Sequence, residues 1–437
     1  MKTYQSWGRL QTVRPLQVYS PQWLGEIVPP SEGTYLCYGK GRSYGDSCLT
    51  STGSVIDMAL LSKIIDFNTE TGILICESGL TIDELLRVSL PKGWFVPVTP
   101  GTKYITIGGA IANDVHGKNH HKAGNFGHHI LRFDLLRSTG ELMICTPTEN
   151  SDWFSATIGG LGLTGIITKV AIQLKKIYSP IIEAENCKFG SIDEFLSIAK
   201  DSENDYEYTV SWIDCTARQS RQGRGIFIRG NHSLVPGPLE IPREKKILFP
   251  MNAPDRMLNN VTVKIFNELY FHKQLNDITK HSISYEPFFY PLDSILHWNR
   301  MYGKRGFFQY QCLVPMEVGS TAIQMILRKI AASGEGSFLS VLKTFGTLPS
   351  LGMMSFPRSG ITLALDFGNN GEKTLKLLSA LDEIVAEAGG AVYPAKDARM
   401  SPESFRHYFP QWQKFEQYID PRCMSDFWLR VTKQITY

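Results

Sequence analysis

The chain reads as an α+β protein made of two unlike parts and a short return segment. Two observations carry that reading. In the first part, three glycine-rich turns each lie beside a strand-like run, at residues 39–45, 101–109 and 158–165. From about Pro180 onward, strand-like and amphipathic helical runs mix without βαβ regularity, the pattern of an antiparallel sheet backed by helices. The 437 residues can bury a large core and suit two domains, placed at 1–178 and 179–390, with 391–437 returning to the first.

Composition narrows the function classes. Apolar residues make up 43% and charged residues 20%, the balance of a globular rather than a disordered chain. A net charge of +3, with no basic run interleaved with aromatics, gives no reason to expect nucleic acid. The start MKTYQSWGRL lacks the apolar core of a secretory signal, and no run reaches about 18 apolar residues. The expected location is cytoplasmic, with any membrane attachment peripheral and at the inner face. The eight cysteines are scattered without a CxxC pair, so no metal site is expected and the thiols read as reduced.

In chain order, residues 34–38 form a β-type run that enters Gly39-Lys40-Gly41-Arg42-Ser43-Tyr44-Gly45-Asp46. This is not the dinucleotide fingerprint, because Tyr44 stands where a third glycine is needed. Such a turn can cradle a phosphate with backbone N–H groups, or be a plain turn cluster. Residues 55–57 and 72–76 read as strands, and Thr81 with Glu84 forms a capping box for a helix that Pro91 ends. Next comes the densest stretch, 101–127. Gly101-Thr102 is a turn, Thr106 an N-cap, and 107–115 a helix opening on Gly108-Gly109, followed by His116-Gly117-Lys118-Asn119-His120-His121. Glycines so early in a helix cost about 1 kcal/mol each relative to Ala. They would let an anionic group such as a pyrophosphate approach the helix start, or allow close helix–strand packing. Residues 131–137 and 141–146 read as a hairpin around Ser138-Thr139-Gly140, 151–157 as a helix, and 166–174 as a strand after the third glycine turn. One such turn is accounted for by packing; three together favour a large phosphate-containing cofactor.

In the second part, 191–200, 321–332 and 372–388 read as helices, and 206–215, 225–229, 307–314 and 360–367 as strands. Residues 236–273 combine prolines, basic residues and apolar clusters such as Ile247-Leu248-Phe249. A loop of that length reads as a lid or binding segment for a phosphate and lipid tail at a membrane surface, or as an insertion that touches nothing.

The order of GxGRSYGD, PGT…GGAIA…HGKNHH and GGxGLTGII resembles the vanillyl-alcohol-oxidase type of FAD-binding oxidoreductase. Within it the chain is similar to the decaprenylphosphoryl-β-D-ribose oxidases of arabinan synthesis. The likeness extends through Phe289-Tyr290-Pro291-Leu292-Asp293, Trp298-Asn299-Arg300, Gln309-Tyr310-Gln311 and Tyr393-Pro394-Ala395-Lys396-Asp397-Ala398-Arg399, and thins between about 188 and 282. It implies a two-part FAD-binding domain plus an antiparallel-sheet substrate domain.

The resemblance also implies roles. Gly39, Lys40, Gly41, Arg42, Ser43, Tyr44 and Gly45 would hold the pyrophosphate with Gly101, Thr106, Ile107, Gly108 and Gly109. His116, Ile167 and Tyr393 would line the rest of the FAD site. Relatives that bind FAD covalently use a histidine in the first loop; Arg42-Ser43 stands there, so non-covalent FAD is expected. Lys396 would carry catalysis with His116 and Tyr44, because a desolvated lysine can take a hydroxyl proton or balance a flavin turning anionic. By itself, Lys396 would equally read as a surface lysine paired with Asp397. Tyr302, Gln309, Gln311, Lys343 and Lys396 would face the substrate. Thr362 and Ala364 replace an asparagine and a cysteine of the resembling oxidases, so the pocket differs.

The implied function is oxidation at C2 of a polyprenyl-phosphate-linked pentose, the first half of a 2-epimerisation completed by a short-chain reductase. An FAD-dependent alditol or aldonolactone oxidase on a soluble sugar is the alternative, and a flavin-free binding protein is the reading from another class.

Overall fold

The structure, a computed structural model, describes residues 2–242, 246–254 and 257–432. The two larger sheets of its first part are of opposite kind. Val18–Tyr19, Ser54–Asp57 and Tyr35–Tyr38 form a parallel three-stranded sheet in that order. Leu142–Cys145, Ile130–Leu136, Ile166–Gln173, Ile73–Glu77 and Ile64–Phe67 form an antiparallel five-stranded one. The expected capping box starts the Ile82–Ser89 helix, with Thr81 and Glu84 satisfying each other's backbone N–H groups.

The second part is an antiparallel sheet of eight strands: β1 (Ile181–Phe189), β2 (Tyr208–Ile213), β3 (Gly225–His232), β4 (Ile278–Ser284), β5 (Phe307–Val314), β6 (Ser340–Phe345), β7 (Gly360–Gly368) and β8 (Ala391–Val392). Their spatial order is β4-β1-β3-β2-β6-β7-β5-β8. The helices Ile192–Ser202, Met316–Ser333 and Glu372–Glu387 send Phe195, Ile323, Ile326, Leu378 and Leu381 into one core with Leu313, Leu342, Leu363 and Leu365 from the sheet. Leu363 and Leu365 alternate along β7 with Thr362, Ala364 and Asp366, so the opposite face of the sheet is left to those residues. That face is where the site lies.

Two expectations are corrected. The helix after Thr106 stops at Ala112 rather than at residue 115. Asp114 takes a left-handed φ of 39°, and its carboxylate accepts from Asn125, Gly127 and Ser355, which holds the chain in a turn. Residues 236–273 are not one long loop. Ile247–Leu248 pairs in parallel with Ile295–Leu296, and Asn260–Lys273 is a helix capped by Asn259; residues 243–245 and 255–256 of that stretch lie outside the described residues. The last segment begins inside the sheet, since β8 pairs with β5 before the chain leaves it. It then reaches the parallel sheet, where the Tyr35 N–H donates to Arg422 O and the Met424 N–H to Tyr35 O.

Candidate functional site

A cavity of about 560 Å³ runs between the two parts. One wall is backbone. The loop carrying Gly39, Lys40, Gly41, Arg42, Ser43 and Tyr44 lines it, together with Gly101, Thr106, Gly108, Gly109, Gly162 and Ile167. A Cβ on Gly39 would stand 2.6 Å from Thr106 Oγ1, so glycine is what lets the loop close on the helix start. Gly41 sits at φ +59°, the left-handed region that glycine enters without penalty. At Gly101 and Gly162, both on the cavity lining, a Cβ would meet nothing within 4 Å.

The helix start offers shape more than free donors. The Ile107 and Gly108 N–H groups donate to Leu80 O and Ser78 O, each at 2.8 Å, and the Gly109 N–H to Thr106 Oγ1 at 3.1 Å. Ile107 itself is in the core, away from the wall. Cationic character comes from Arg42, whose guanidinium lies 3.9 Å over the Trp7 ring with a buried Nε that has no partner.

Lys396 is brought to this wall by three ties between the glycine loop and the chain after β8. The Tyr44 N–H donates to Ala395 O at 2.9 Å. Gly45 faces away from the cavity, and a Cβ there would fall 1.6 Å from Asp397 O; its glycine serves this close approach. Arg430 bridges Asp46 at 2.7 Å and Asp397 at 3.0 Å. Asp397 is thus committed to Arg430, and Lys396 turns instead to the cavity, its Nζ 4.0 Å from the Tyr44 ring centre.

Burial lowers the Lys396 ammonium from its ordinary 10.5; the Asp366 carboxylate opposes that and Lys343 adds to it. Asp366, only 1% exposed, is raised in turn by burial, against the bond from Gln309 and the charge of Lys396. Gln309 Nε2 donates to Asp366 Oδ1 at 2.6 Å, while Oδ2 has no protein partner.

His116 is buried among Phe345, Phe356 and Tyr393. Gln311 Nε2 lies 2.9 Å from His116 Nε2, and since the amide nitrogen can only donate, the ring Nε2 accepts and the ring proton is on Nδ1. Burial, then Lys343, keeps the imidazole neutral by lowering its pKa well below 6.5. Nδ1 lacks a partner in the protein and is free to donate to a ligand oxygen. Tyr393 closes this end through a 2.7 Å bond to Asn113 O and a stack on Phe356.

The other wall is the free face of the large sheet. Register puts Gln309 opposite Asp366, Gln311 opposite Ala364, Lys343 opposite Thr362, and Trp212 opposite Val341. All of these except Asp366 line the cavity, and Asp366 lies behind Gln309. Tyr302 is not on the wall: its ring stacks on Phe307 at 4.2 Å and is buried against Phe338. Sequence reasoning missed Asp366, although Thr362, Ala364 and Asp366 share one face at a period of two. It also missed Lys118, Trp212, Phe266, Tyr270 and Phe338, all on the cavity wall.

The residues present fit FAD. Backbone along one wall leaves room where Gly101 and Gly162 stand, and Arg42 Nε and His116 Nδ1 are buried groups without a protein partner that would donate to it. Among the described residues no cluster suits a metal ion.

Comparison with known proteins agrees. Residues 31–146 match the model of the FAD binding domain. The chain is 36% identical over 402 residues to decaprenylphosphoryl-beta-D-ribose oxidase of Mycolicibacterium smegmatis, an alignment covering 88% of this chain and 85% of that protein. It is 29% identical over 364 residues to an uncharacterized protein of Streptomyces coelicolor, covering 78% and 96%. Cytokinin dehydrogenase 3 of Oryza sativa subsp. japonica is 27% identical over 209 residues, 45% of this chain and 39% of that one.

Proposed function

The chain belongs to the FAD-dependent oxidoreductase family of decaprenylphosphoryl-β-D-ribose oxidase, and from that premise we propose that it oxidises the C2 hydroxyl of a polyprenyl-phosphate-linked pentose to a keto group. The product is then the substrate of a short-chain reductase that completes a 2-epimerisation in cell-wall or surface polysaccharide synthesis. The observation that carries the reading is the placement of Lys396. Its amine stands on the cavity wall between the glycine loops and the polar edge of the sheet, with its pKa lowered by burial.

Bound FAD supplies the two-electron acceptor. Lys396 Nζ takes the proton of the C2 hydroxyl as the C–H bond gives up its hydride. The Tyr44 ring packs against that amine, with its centre 4.0 Å from Nζ. Gln309 and Gln311 line the cavity with their amide nitrogens held by Asp366 and His116, which leaves the amide oxygens to accept from the sugar hydroxyls, and Gln311 also fixes the His116 tautomer. FAD is held without a covalent bond, since Arg42 and Ser43 occupy the point where a first-loop histidine would attach it.

Attachment to a membrane surface is peripheral in this reading. Among the described residues no helix is long and apolar enough to cross a membrane. The outer face of the Asn260–Lys273 helix exposes Val261, Ile265 and Leu269, and Ile247, Leu248 and Met251 earlier in the same stretch of sequence are exposed as well. The test is anaerobic bleaching of the bound flavin by a polyprenyl-phosphoryl pentose, set against xylitol and an aldonolactone. Bleaching by the lipid-linked sugar alone is expected. Equal or faster bleaching by the soluble sugars would replace this reading with a soluble-sugar oxidase.

A further inference from the structure

The free face of the sheet changes character strand by strand. On β5 and β7 it shows Gln309, Gln311 and Thr362, uncharged hydrogen-bonding groups. The next strand, β6, contributes Lys343. Beyond it β2 and β3 contribute Val210, Trp212 and Ile228, paired so that all three face the same way as Lys343. Neighbouring strands are about 4.8 Å apart, so polar, cationic and apolar zones follow one another over roughly 19 Å from β5 to β3.

The cationic zone holds two lysines. Lys118 lines the cavity beside β2, where the Thr209 N–H donates to its carbonyl at 2.8 Å. Its ammonium donates to Phe288 O, and that of Lys343 to Gly117 O at 3.2 Å. Among the described residues neither meets a carboxylate, unlike the buried Lys103, which bridges Asp83 and Glu286. Burial lowers Lys118 to about 7, with Lys343 adding to it, and lowers Lys343 to about 8. Two desolvated cations that share a wall and lack a counter-ion make a site suited to an anion, which would restore both charges.

We propose that Lys118 and Lys343 bind the phosphodiester of the substrate, and that Val210, Trp212, Ile228, Phe266 and Tyr270 receive the first isoprene units beyond it. The assignment rests on the lipid-linked reading above. It lays the substrate across the strands, with the sugar at β5 and β7 beside Lys396, the phosphate at β6 and the tail at β2 and β3. The tail wall is built for an apolar chain. Trp212 packs on Tyr270 at 4.7 Å, and Phe266 on Phe338 at 5.6 Å, with Phe266 reaching the surface.

The test is calorimetric binding to the FAD-loaded full chain of three probes: a methyl farnesyl phosphodiester, farnesol and inorganic phosphate. The diester is expected to bind more tightly than either fragment. Lys118→Gln and Lys343→Gln should each weaken the diester about tenfold or more while leaving farnesol unchanged, and Lys343→Arg should keep most of the affinity. Trp212→Ala should weaken diester and farnesol together. Flavin absorbance per chain reports folding and cofactor loading in every variant. Unchanged diester affinity in the double lysine variant would overturn the phosphate assignment. So would a fall in flavin content with diester binding intact, because the lysines would then serve the cofactor. Inorganic phosphate binding as tightly as the diester would overturn the tail wall. If the diester behaves as expected but no polyprenyl-phosphoryl pentose bleaches the flavin, the oxidation reading falls and the binding site stands.

Discussion

At Gly39, Gly41 and Gly101 the cavity wall is backbone; at Gln309, Thr362 and Lys343 it is side chain. The two walls face each other, yet they obey different rules. The loop wall is specified by what is missing, since a Cβ at Gly39 or Gly41 would strike a neighbour and one at Gly101, on the cavity lining, would stand in open space. The sheet wall is specified by alternation, one face of each strand filling the core and the other facing the ligand. A wall of the first kind holds a constant partner by shape. A wall of the second kind can change its ligand one residue at a time.

The largest expected effect lies where the walls meet. Lys396→Met keeps the side chain's length and removes its proton acceptor. Flavin reduction by the lipid-linked pentose should fall by about a thousandfold, while flavin content stays near wild type. The pH profile adds a sign. The working form is the neutral amine, so the rate rises with pH through the Lys396 pKa, and burial places that rise below the ordinary 10.5. The Asp366 carboxylate holds the pKa up, so Asp366→Asn should shift the rise to lower pH. Stopped-flow reduction across pH reads both. A wild-type rate in Lys396→Met, or a shift to higher pH in Asp366→Asn, would remove Lys396 from the role of base.

The contrast between the walls also explains what was legible in the sequence. Glycine turns announce themselves because glycine there is a backbone requirement, and the Thr81–Glu84 capping box is local by nature. Gln309 and Gln311 were reached through the family resemblance, and the strand's alternation sets both on the cavity face. Alternation was silent along 208–213, where every residue is buried and the cavity side looks like the core side. That is why Trp212 went unseen. Asp366 was within reach, two residues past Ala364, but its importance comes from Gln309 across the strand pair and Lys396 from another segment. The helix after Thr106 was read too long because Asp114 looks helix-compatible until its carboxylate is seen holding Asn125 and Gly127. Tyr302 and Gly45 carry the right motif neighbours yet point elsewhere, one into an aromatic stack and the other at Asp397.

Two glycine substitutions sharpen the comparison with a middling effect. Gly101→Val adds a side chain where no protein atom lies within 4 Å, so the thermal midpoint of the flavin-free protein should hold while FAD occupancy drops severalfold. Gly41→Ala places a Cβ 1.9 Å from the Tyr38 hydroxyl at a left-handed φ, so the fold itself should lose about 1–3 kcal/mol. Thermal unfolding of the flavin-free chains, followed by FAD titration, separates the two. Equal losses of stability would mean that the loop wall is packing rather than cradle.

The smallest expected effect on the fold and on flavin reduction sits outside both walls, on the Asn260–Lys273 helix. Its inner side is pinned, with Asn267 fully buried and donating to Asp214, which also pairs with Arg224. Its outer side carries Val261, Ile265 and Leu269 at 64%, 55% and 68% exposure, spaced four apart on one stripe. An apolar stripe left in water on an anchored helix beside the tail wall fits the surface of a bilayer from which a lipid-linked substrate arrives. Ile265→Ser with Leu269→Ser changes side chains already in solvent, so unfolding should shift by less than about 0.5 kcal/mol. Each loses apolar area worth about 0.8 kcal/mol per methylene once inserted, so binding to vesicles containing anionic lipid should weaken about tenfold or more. Reduction of the flavin by a short, water-soluble prenyl-phosphoryl pentose should stay at the wild-type rate, because the stripe faces away from the cavity. Leu248→Asp probes the neighbouring exposed strand in the same assay. Unchanged vesicle binding in all these variants would mean that the tail reaches Trp212 without this helix touching the membrane. The apolar half of the sheet wall would then have to capture its ligand from solution.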